Sequence, residues 1–331
     1  MKLGIIGAGL IVNQLFSFAR EIVGLELEGI CATAKSEEKV KGLAEKYGIT
    51  KYYTNYDEML KNPHIDTIYV AVPNHLHFAM SRAAILHGKH VICEKPFTSN
   101  LREMKTLIDL ANKHEVFLLE AVSTRFLPNV QMIKEQLTKL GEIKIVYANY
   151  SQYSSRYDAF KKGEIHPVFD VKKSGGALMD LNIYNINLMV MLFGMPQRVE
   201  YQANIQKGID TSGILTLDYG SFKGVCIGAK DCRASSAISI QGEKGYISTD
   251  SAVNEVDYFR LYVHQENDEK EYRLNDEKHR MYHVFASFVD ILDRNDRLVA
   301  AELLRISFDT MKIQTIAREQ AGIVFEADLQ Q

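Results

Sequence analysis

The feature that most constrains the fold is a regular alternation of strand and helix signals through residues 1–120. Six short apolar or β-branched runs occupy residues 3–6, 25–31, 51–54, 67–72, 90–93 and 116–120. Helical patterns lie between them, such as residues 36–47, with Ser36 as N-cap, and residues 100–114. Strands alternating with helices at this spacing predict right-handed βαβ units in a doubly wound parallel sheet. Six strands are what a complete dinucleotide-binding domain requires.

A glycine turn follows the first predicted strand directly. Its sequence is Gly7-Ala8-Gly9, and it opens an apolar helix. Two glycines permit a tight turn and a close approach of the backbone to a pyrophosphate, whose charge the helix N-terminus favours. Val12 stands where the usual motif has its third glycine. The strand before the turn and the helix after it predict dinucleotide binding, with contacts from Gly7, Gly9, Leu10 and Ile11.

The end of the second predicted strand bears on the choice of dinucleotide. An acidic residue there would hold the ribose hydroxyls of NAD. The strand instead runs into Ala34 and Lys35, and the first carboxylate is Glu37. Small residues followed by a lysine leave room and charge for a 2′-phosphate. The sequence therefore favours NADP and leaves NAD open.

Two later turns lie at the same predicted edge of the sheet. Pro73, Asn74 and His77 follow the fourth strand, and Asn74 is also expected to cap the next helix. Glu94 and Lys95 follow the fifth strand, where a bound cofactor would meet its substrate. We expect all five residues to contribute to the cofactor site. No metal is predicted, because two histidines at positions 75 and 77 cannot share one helical face.

Composition excludes several classes of partner. The net charge of −3 and the lack of a basic run give no argument for a nucleic-acid partner. No apolar run reaches membrane-spanning length and no signal peptide is present, so we expect a cytoplasmic protein without a membrane partner. The four cysteines lack paired metal-ligand spacing and are expected to be reduced thiols.

The pattern changes at about residue 123. Closely spaced strand signals joined by short turns predict a large, mainly antiparallel open sheet. Helical patterns at 279–292 and 300–320 complete an α+β domain. The sequence thus divides into a dinucleotide-binding domain at 1–122 and a substrate-binding and oligomerisation domain at 123–331.

One predicted helix interrupts the strands of the second domain, over residues 175–193. Asp180 and Tyr184 are four residues apart, so on a continuous helix they would project from one face. Asn187 continues this polar stripe on an otherwise apolar helix. A carboxylate, a phenol and an amide together indicate a site.

Taken together, these motifs resemble the Gfo/Idh/MocA family of NAD(P)-dependent oxidoreductases over nearly the full length. The resemblance rests on the glycine turn, Pro73-Asn74-His75-Leu76-His77, Glu94-Lys95-Pro96, and Gly175 to Asp180 followed by Tyr184. Tyrosine at 184 resembles the dimeric dihydrodiol dehydrogenase and glucose–fructose oxidoreductase branches, and the stretch 120–128 also resembles the dihydrodiol branch.

The resemblance implies that Lys95 lies in the catalytic site, near the nicotinamide. It further implies substrate contacts from Arg125, Asn182 and Tyr184, and a homodimer or larger oligomer formed through the second-domain sheet. Small hydroxy or carbonyl compounds, such as a sugar, polyol or diol, are the expected substrates.

The chemistry of hydride transfer agrees with these residues. The substrate hydroxyl needs a group that moves its proton, and a tyrosine assisted by an ammonium can do so. We therefore expect Tyr184 to be the general acid/base, with Lys95 tuning it and Asp180 orienting the lysine or the substrate. Two alternatives stay open at this point: a cofactor-binding regulator without catalysis, and an oxidoreductase that holds its cofactor tightly through the cycle.

Overall fold

The computed structural model describes residues 1–276 and 278–329, which form two compact units. The first unit comprises residues 1–121 and 281–305, and the second comprises residues 122–280 and 306–331 as far as they are described. The chain thus leaves the first unit at Ala121 and returns to it for one segment. The sequence division placed residues 281–305 in the second domain instead.

The first 121 residues alternate strictly between strands and helices. Their elements are β1 (Lys2–Ile6), α1 (Leu10–Phe18), β2 (Glu26–Cys31), α2 (Glu37–Tyr47), β3 (Lys51–Tyr53), α3 (Tyr56–Leu60), β4 (Thr67–Val70), α4 (His77–Leu86), β5 (His90–Glu94), α5 (Leu101–Lys113) and β6 (Leu118–Ala121).

The remaining elements in chain order are α6 (Pro128–Gln136), β7 (Ile143–Ser151), α7 (Tyr157–Lys161), α8 (Ala177–Asp180), α9 (Asn182–Phe193), β8 (Arg198–Gln206), β9 (Ile209–Asp218), β10 (Lys223–Ala229), β11 (Ala237–Gly242), β12 (Gly245–Thr249), β13 (Phe259–Val263), β14 (Asp268–Tyr272), α10 (Arg280–Asp293), α11 (Arg297–Gln320) and α12 (Glu326–Leu329).

The first unit contains a six-stranded parallel sheet in the order β3-β2-β1-β4-β5-β6. The order reverses between β1 and β4, which is where doubly wound sheets bind ligands beyond their carboxyl ends. The predicted fold class of this domain is confirmed. Helix α10 returns to this unit because its apolar side chains fit here: the ring of Phe285 packs edge-on against Tyr69, with centroids 5.0 Å apart.

Several helix ends follow from local sequence. The Asn100 side chain accepts a 3.0 Å hydrogen bond from the amide of Glu103 and so caps α5. Gly48 ends α2 in the left-handed conformation, with φ 64°. Asn74 does not cap α4 as predicted: it opens a 3-10 turn at Asn74–Leu76, and the N-cap position of α4 falls on Leu76.

The second unit contains an eight-stranded sheet in the order β14-β13-β12-β11-β7-β10-β9-β8. Its described pairs are antiparallel except that of β7 with β10. The prediction of a mainly antiparallel sheet is thus confirmed. One face of the sheet is buried against the core that includes α9, through side chains such as Val146, Leu215 and Ile240.

Candidate active site

The glycine turn lies between β1 and α1, and its two glycines have different roles. Gly7 has φ +117°, and a Cβ there would lie 2.1 Å from the carbonyl oxygen of Ala71. Its amide donates a 2.9 Å hydrogen bond to the carbonyl of Cys31 on β2. A Cβ on Gly9 would meet no atom within 4 Å. The turn therefore needs glycine at position 7 to form, whereas Gly9 leaves open space at the N-terminus of α1.

The first residues of α1 differ in their exposure to solvent. Leu10 is 77% exposed, and Ile11 is half-buried. Val12 is fully buried and packs inward, so the missing third glycine is replaced by a core contact. The open side of this turn is the side on which a pyrophosphate would approach the helix N-terminus.

The segment after β2 carries positive rather than negative charge. Ala34 and Lys35 belong to a 3-10 turn at Ala34–Ser36, and both are exposed. The first carboxylate after the strand, Glu37, begins α2 and is exposed as well. The structure thus places no carboxylate between Cys31 and the start of α2.

His77 joins the turn after β4 to the turn after β5. The ring is fully buried, with Nε2 lying 2.8 Å from the carbonyl oxygen of Val72 and Nδ1 lying 2.8 Å from that of Pro96. Burial lowers the pKa of the His77 imidazole. Since a neutral imidazole has one N–H, it donates to one of these carbonyls at a time. The described contacts of His77 are structural, whereas Pro73 is exposed and Asn74 is half-buried beside it.

The turn that carries Lys95 is held on both sides. The hydroxyl of Tyr69 donates a 2.6 Å hydrogen bond to the carboxylate of Glu94. The amide of Phe97 donates a 3.1 Å hydrogen bond to the carboxylate of Glu120, which lies at the end of β6 and is buried. Lys95 itself is half-buried between these anchors. The sequence analysis assigns no role to Tyr69 or Glu120. Their positions on β4 and β6, the two neighbours of β5, are the feature that could have indicated these contacts.

In the second unit, the predicted continuous helix over 175–193 is broken. Helices α8 and α9 are separated at Leu181, and the segment Val171–Asp180, which ends with α8, is bent by 57° from Asn182–Phe193. The break falls between Asp180 and Tyr184, so the argument from one continuous helical face was wrong. Asp180 ends α8, and Tyr184 lies in the first turn of α9.

Asp180 forms an ion pair with Lys230, the residue that follows β10. The lysine side chain is 3% exposed, while the carboxylate side chain is 28% exposed. The ammonium also lies 5.0 Å from the ring centroid of Phe169. Asp180 therefore presents a fixed, partly open carboxylate in front of a buried cation, a partner that sequence reasoning missed.

The ring of Tyr184 packs against a residue that lines an open polar cavity of the same unit. This ring is 7% exposed and packs edge-on against Tyr150, with centroids 5.9 Å apart. Tyr150 in turn lines a cavity of about 930 Å³, together with residues of its own segment and of two others. Its polar lining includes Ser151, Gln152, Tyr153, Arg233, Ser235, Ser236, Asp250 and Glu255. Such a lining offers donors and acceptors to a hydroxylated ligand.

Two residues expected to contact substrate are buried among protein atoms. Arg125 is 2% exposed, and its guanidinium donates to the side chains of Asn187 and Ser307. Asn182 is 1% exposed and donates a 3.2 Å hydrogen bond to the carbonyl of Cys226 on β10. These contacts give both residues a structural role in the described unit, and their contact with substrate stays a prediction.

A second buried carboxylate lies behind the ion pair. Asp210 accepts hydrogen bonds from the amide of Leu178 (2.6 Å) and from the hydroxyl of Tyr201 (2.8 Å). A Cβ on Gly176 would lie 2.1 Å from its other oxygen, so the chain passes directly over it. Burial raises the pKa of the Asp210 carboxyl to about 6. Asp210 thus fixes the start of α8, at whose end Asp180 lies.

Within 1–276 and 278–329, no group of three or more His, Cys, Asp or Glu side chains has the arrangement of a metal site. In the same ranges no single helix has the length and apolar character needed to cross a membrane. The bent pair Val171–Asp180 and Asn182–Phe193 meets those criteria only when joined, by length and composition.

Comparison with known proteins identifies relatives over the whole chain. Residues 1–121 match an oxidoreductase family with an NAD-binding Rossmann fold, and residues 130–248 match the Gfo/Idh/MocA C-terminal domain. The scyllo-inositol 2-dehydrogenase (NADP(+)) IolU of Bacillus subtilis is 33% identical over 338 residues, covering 99% of each chain. Trans-1,2-dihydrobenzene-1,2-diol dehydrogenase of Bos taurus is 28% identical over 251 residues, covering 74% of this chain and 72% of its own.

A solved structure shares the fold at lower sequence identity. KijD10, a 3-ketoreductase from Actinomadura kijaniata in complex with NADP and TDP-benzene, superposes with a TM-score of 0.83. The match covers 97% of both chains at 16% identity.

Proposed function

Because this chain belongs to the Gfo/Idh/MocA family of oxidoreductases, we propose that it is an NADP-preferring dehydrogenase or reductase of a polyhydroxylated compound such as a sugar or polyol. The resemblance seen in the motifs is confirmed, and with it the assignment as an NAD(P)-dependent enzyme acting on CH–OH groups. The observation that carries the proposal is the partly open carboxylate of Asp180, which a buried cation fixes, four residues before Tyr184 in the sequence.

The first unit fits a dinucleotide at the switch point of its sheet. Gly7 allows the tight turn, and the open space at Gly9 would admit a pyrophosphate at the N-terminus of α1. When bound, the nicotinamide supplies the hydride chemistry. The residues that would hold the cofactor are Gly7, Gly9, Leu10, Ile11, Ala34, Lys35, Pro73, Asn74, Glu94 and Lys95, with His77 bracing two of their turns.

The preference for NADP rests on the segment after β2. An exposed lysine at position 35, next to the small Ala34, offers charge and room for a 2′-phosphate. No carboxylate lies between Cys31 and Glu37 to select the ribose hydroxyls of NAD. The name of the Bacillus relative, scyllo-inositol 2-dehydrogenase (NADP(+)), supports the same choice.

The substrate class rests on the polar cavity beside Tyr150. Hydroxyl groups require both donors and acceptors when they leave water, and this cavity supplies hydroxyl, amide, guanidinium and carboxylate groups. The names of the two relatives, an inositol dehydrogenase and a dihydrodiol dehydrogenase, support a substrate with neighbouring hydroxyls.

In the proposed mechanism Tyr184 moves the proton of the reacting hydroxyl. A phenol at neutral pH is a weak base, and a nearby ammonium favours its phenolate. We assign that role to Lys95 of the first unit, and we assign to Asp180 the orientation of the lysine or of the substrate hydroxyl.

The test is a double-mutant cycle on turnover. Tyr184→Phe should lower kcat by about 10²–10⁴-fold with little change in cofactor affinity, because only the proton-transfer group is removed. Lys95→Ala should lower kcat similarly, and the double variant should lose far less than the product of the two.

The matched control is Tyr219→Phe, which removes a half-buried phenol bonded to the carbonyl of Gly194. It should leave kcat within a few-fold of wild type. A Tyr184→Phe enzyme that also turns over within a few-fold of wild type would assign the proton to another group. It would contradict this mechanism without touching family membership.

We further propose that the chain forms a homodimer through its eight-stranded sheet. The face of the sheet opposite the core carries exposed or half-buried apolar side chains in adjacent strands, including Ile145, Tyr147, Ile214 and Val225. An apolar surface at the centre of a wide sheet is typical of a protein–protein interface.

A further inference from the structure

Lys230 lies beside the proposed catalytic carboxylate but belongs to no motif used above. Its backbone is anchored on two sides: its amide donates a 2.8 Å hydrogen bond to the carbonyl of Thr211, and its carbonyl accepts a 2.9 Å hydrogen bond from the amide of Ser154. These bonds continue the pairing of β10 with β9 and with the segment after β7, one residue beyond the end of β10. The lysine side chain is thereby directed inward with little freedom of its backbone.

The neighbouring carboxylates are engaged with other partners. Asp210 accepts hydrogen bonds from Leu178 and Tyr201, and Asp231 accepts from the hydroxyls of Thr211 (2.7 Å) and Ser212 (2.9 Å). The ammonium of Lys230 instead contacts Asp180. Each of the three carboxylates in this cluster therefore has its own partners, and the buried cation is directed to the one that is partly open.

Burying an ammonium is a poor way to stabilise a fold. Removing such a charge from water costs more than an exposed pair returns, and apolar replacements of buried ion pairs are often neutral or stabilising. If Lys230 is lost, Asp180 can be hydrated through its exposed part, so no fully buried charge is left alone. A role in the chemistry explains the buried lysine better than a role in stability.

We propose that Lys230 is the positioning residue of the active site: it holds Asp180 as a carboxylate in one orientation, and so acts on the substrate through Asp180. The proposal rests on the proposed function, because it requires Asp180 to take part in the reaction. It adds a second lysine, from the second unit, to the one assigned from the glutamate–lysine–proline motif.

The test compares Lys230→Met, Asp180→Asn and the double variant. Lys230→Met should lower kcat by about tenfold to a hundredfold, the range for losing a hydrogen bond to a charged group. The double variant should be no slower than Asp180→Asn alone, since the lysine acts through the carboxylate. The dissociation constant of NADPH, measured by its fluorescence, and the thermal midpoint should both stay near wild type.

The pH profile of kcat/KM supplies a readout that a merely structural role would not move. Without the ammonium, the acid limb should shift upward by about one pH unit, because a neighbouring cation favours the carboxylate. Asp210, Asp231 and Tyr201 are the other titratable groups of this cluster. Repeating the profile in the Asp180→Asn background distinguishes Asp180 from these groups. Replacing Lys230 should then no longer shift the acid limb.

The outcomes are distinct. A slow Asp180→Asn enzyme with a Lys230→Met enzyme of wild-type rate and pH profile would overturn the role of Lys230 and leave the proposed function standing. An Asp180→Asn enzyme of wild-type rate would overturn both. If Lys230→Met does not fold, Lys230→Gln takes its place: it keeps a hydrogen-bond donor without the charge, so the same upward shift of the acid limb is expected.

Discussion

The buried carboxyl of Asp210 should make the stability of this protein depend on pH in a direction opposite to that of most aspartates. Burial raises its pKa from 3.8 to about 6, against the hydrogen bonds from Leu178 and Tyr201, which lower it. The native state therefore holds the proton more tightly than the unfolded chain does. The stabilisation is fully present below about pH 4 and is lost as the pH rises through about 6.

The size of the effect follows from the shift. A difference of about two pKa units corresponds to about 3 kcal/mol between the fully protonated and fully ionised limits. Between about pH 5 and about pH 7.5, the Asp210 contribution should fall by about 1.4 kcal/mol. In Asp210→Asn this contribution disappears, while the amide oxygen can still accept from Leu178 and Tyr201. The difference in the free energy of unfolding between wild type and Asp210→Asn should therefore decrease by about 1.4 kcal/mol over the same pH range.

The assay is urea unfolding of both proteins at several pH values. The chain has no tryptophan, so far-UV circular dichroism and tyrosine fluorescence are the probes, and coincident transitions justify a two-state fit. Tyr201→Phe provides a second check. Losing the hydrogen bond from Tyr201 should raise the pKa of Asp210 further, so the loss of the Asp210 stabilisation should occur at higher pH. A difference between wild type and Asp210→Asn that is constant with pH would refute the reasoning.

Two further predictions concern the cofactor and the sheet. Lys35→Ala should weaken NADPH binding by about tenfold while changing NADH binding little, as measured by fluorescence titration; Lys39→Ala, another exposed lysine nearby, should affect neither. Equal losses for both cofactors would contradict the role of Lys35. Ile214→Asp should convert the proposed dimer to a monomer in light scattering, because it places a charge in an apolar interface. Val23→Asp, on an exposed residue of the first unit, should not; a wild type that is already monomeric would end the dimer proposal.

The dinucleotide-binding fold was predictable because its signals are local. Each strand of the first sheet is a short apolar run, and the helices between the strands have their own apolar side chains. The glycine turn lies between the first strand and the first helix. Gly7 illustrates this: the left-handed φ that the structure requires can be anticipated from a glycine directly after a strand. The positions of Lys95 and Asn74 at strand ends followed from the same periodicity.

The features that sequence reasoning missed are set by contacts between distant residues. Nothing in residues 175–193 marks a break, since no proline or internal glycine interrupts the apolar run after Gly176. In the structure, α8 is tied to Asp210 through the amide of Leu178, while α9 begins against β10, where a Cβ on Gly228 would lie 2.7 Å from Cβ of Asn182. These two attachments separate the helices at Leu181. The pairing of Asp180 with Lys230 likewise spans 50 positions and has no local signature.

The turn that carries Lys95 is anchored by other elements of the first unit, whereas the proposed mechanism assigns the chemistry to Lys95 itself. Its anchors come from three other elements: Tyr69 on β4 holds Glu94, Glu120 on β6 holds the amide of Phe97, and His77 on α4 lies against the carbonyl of Pro96. These three anchors hold Glu94, Phe97 and Pro96, the residues on either side of Lys95. Replacing Lys95 should therefore change the reaction while the turn persists, whereas replacing Glu120 or His77 removes a buried contact of the turn itself and should reduce stability together with turnover.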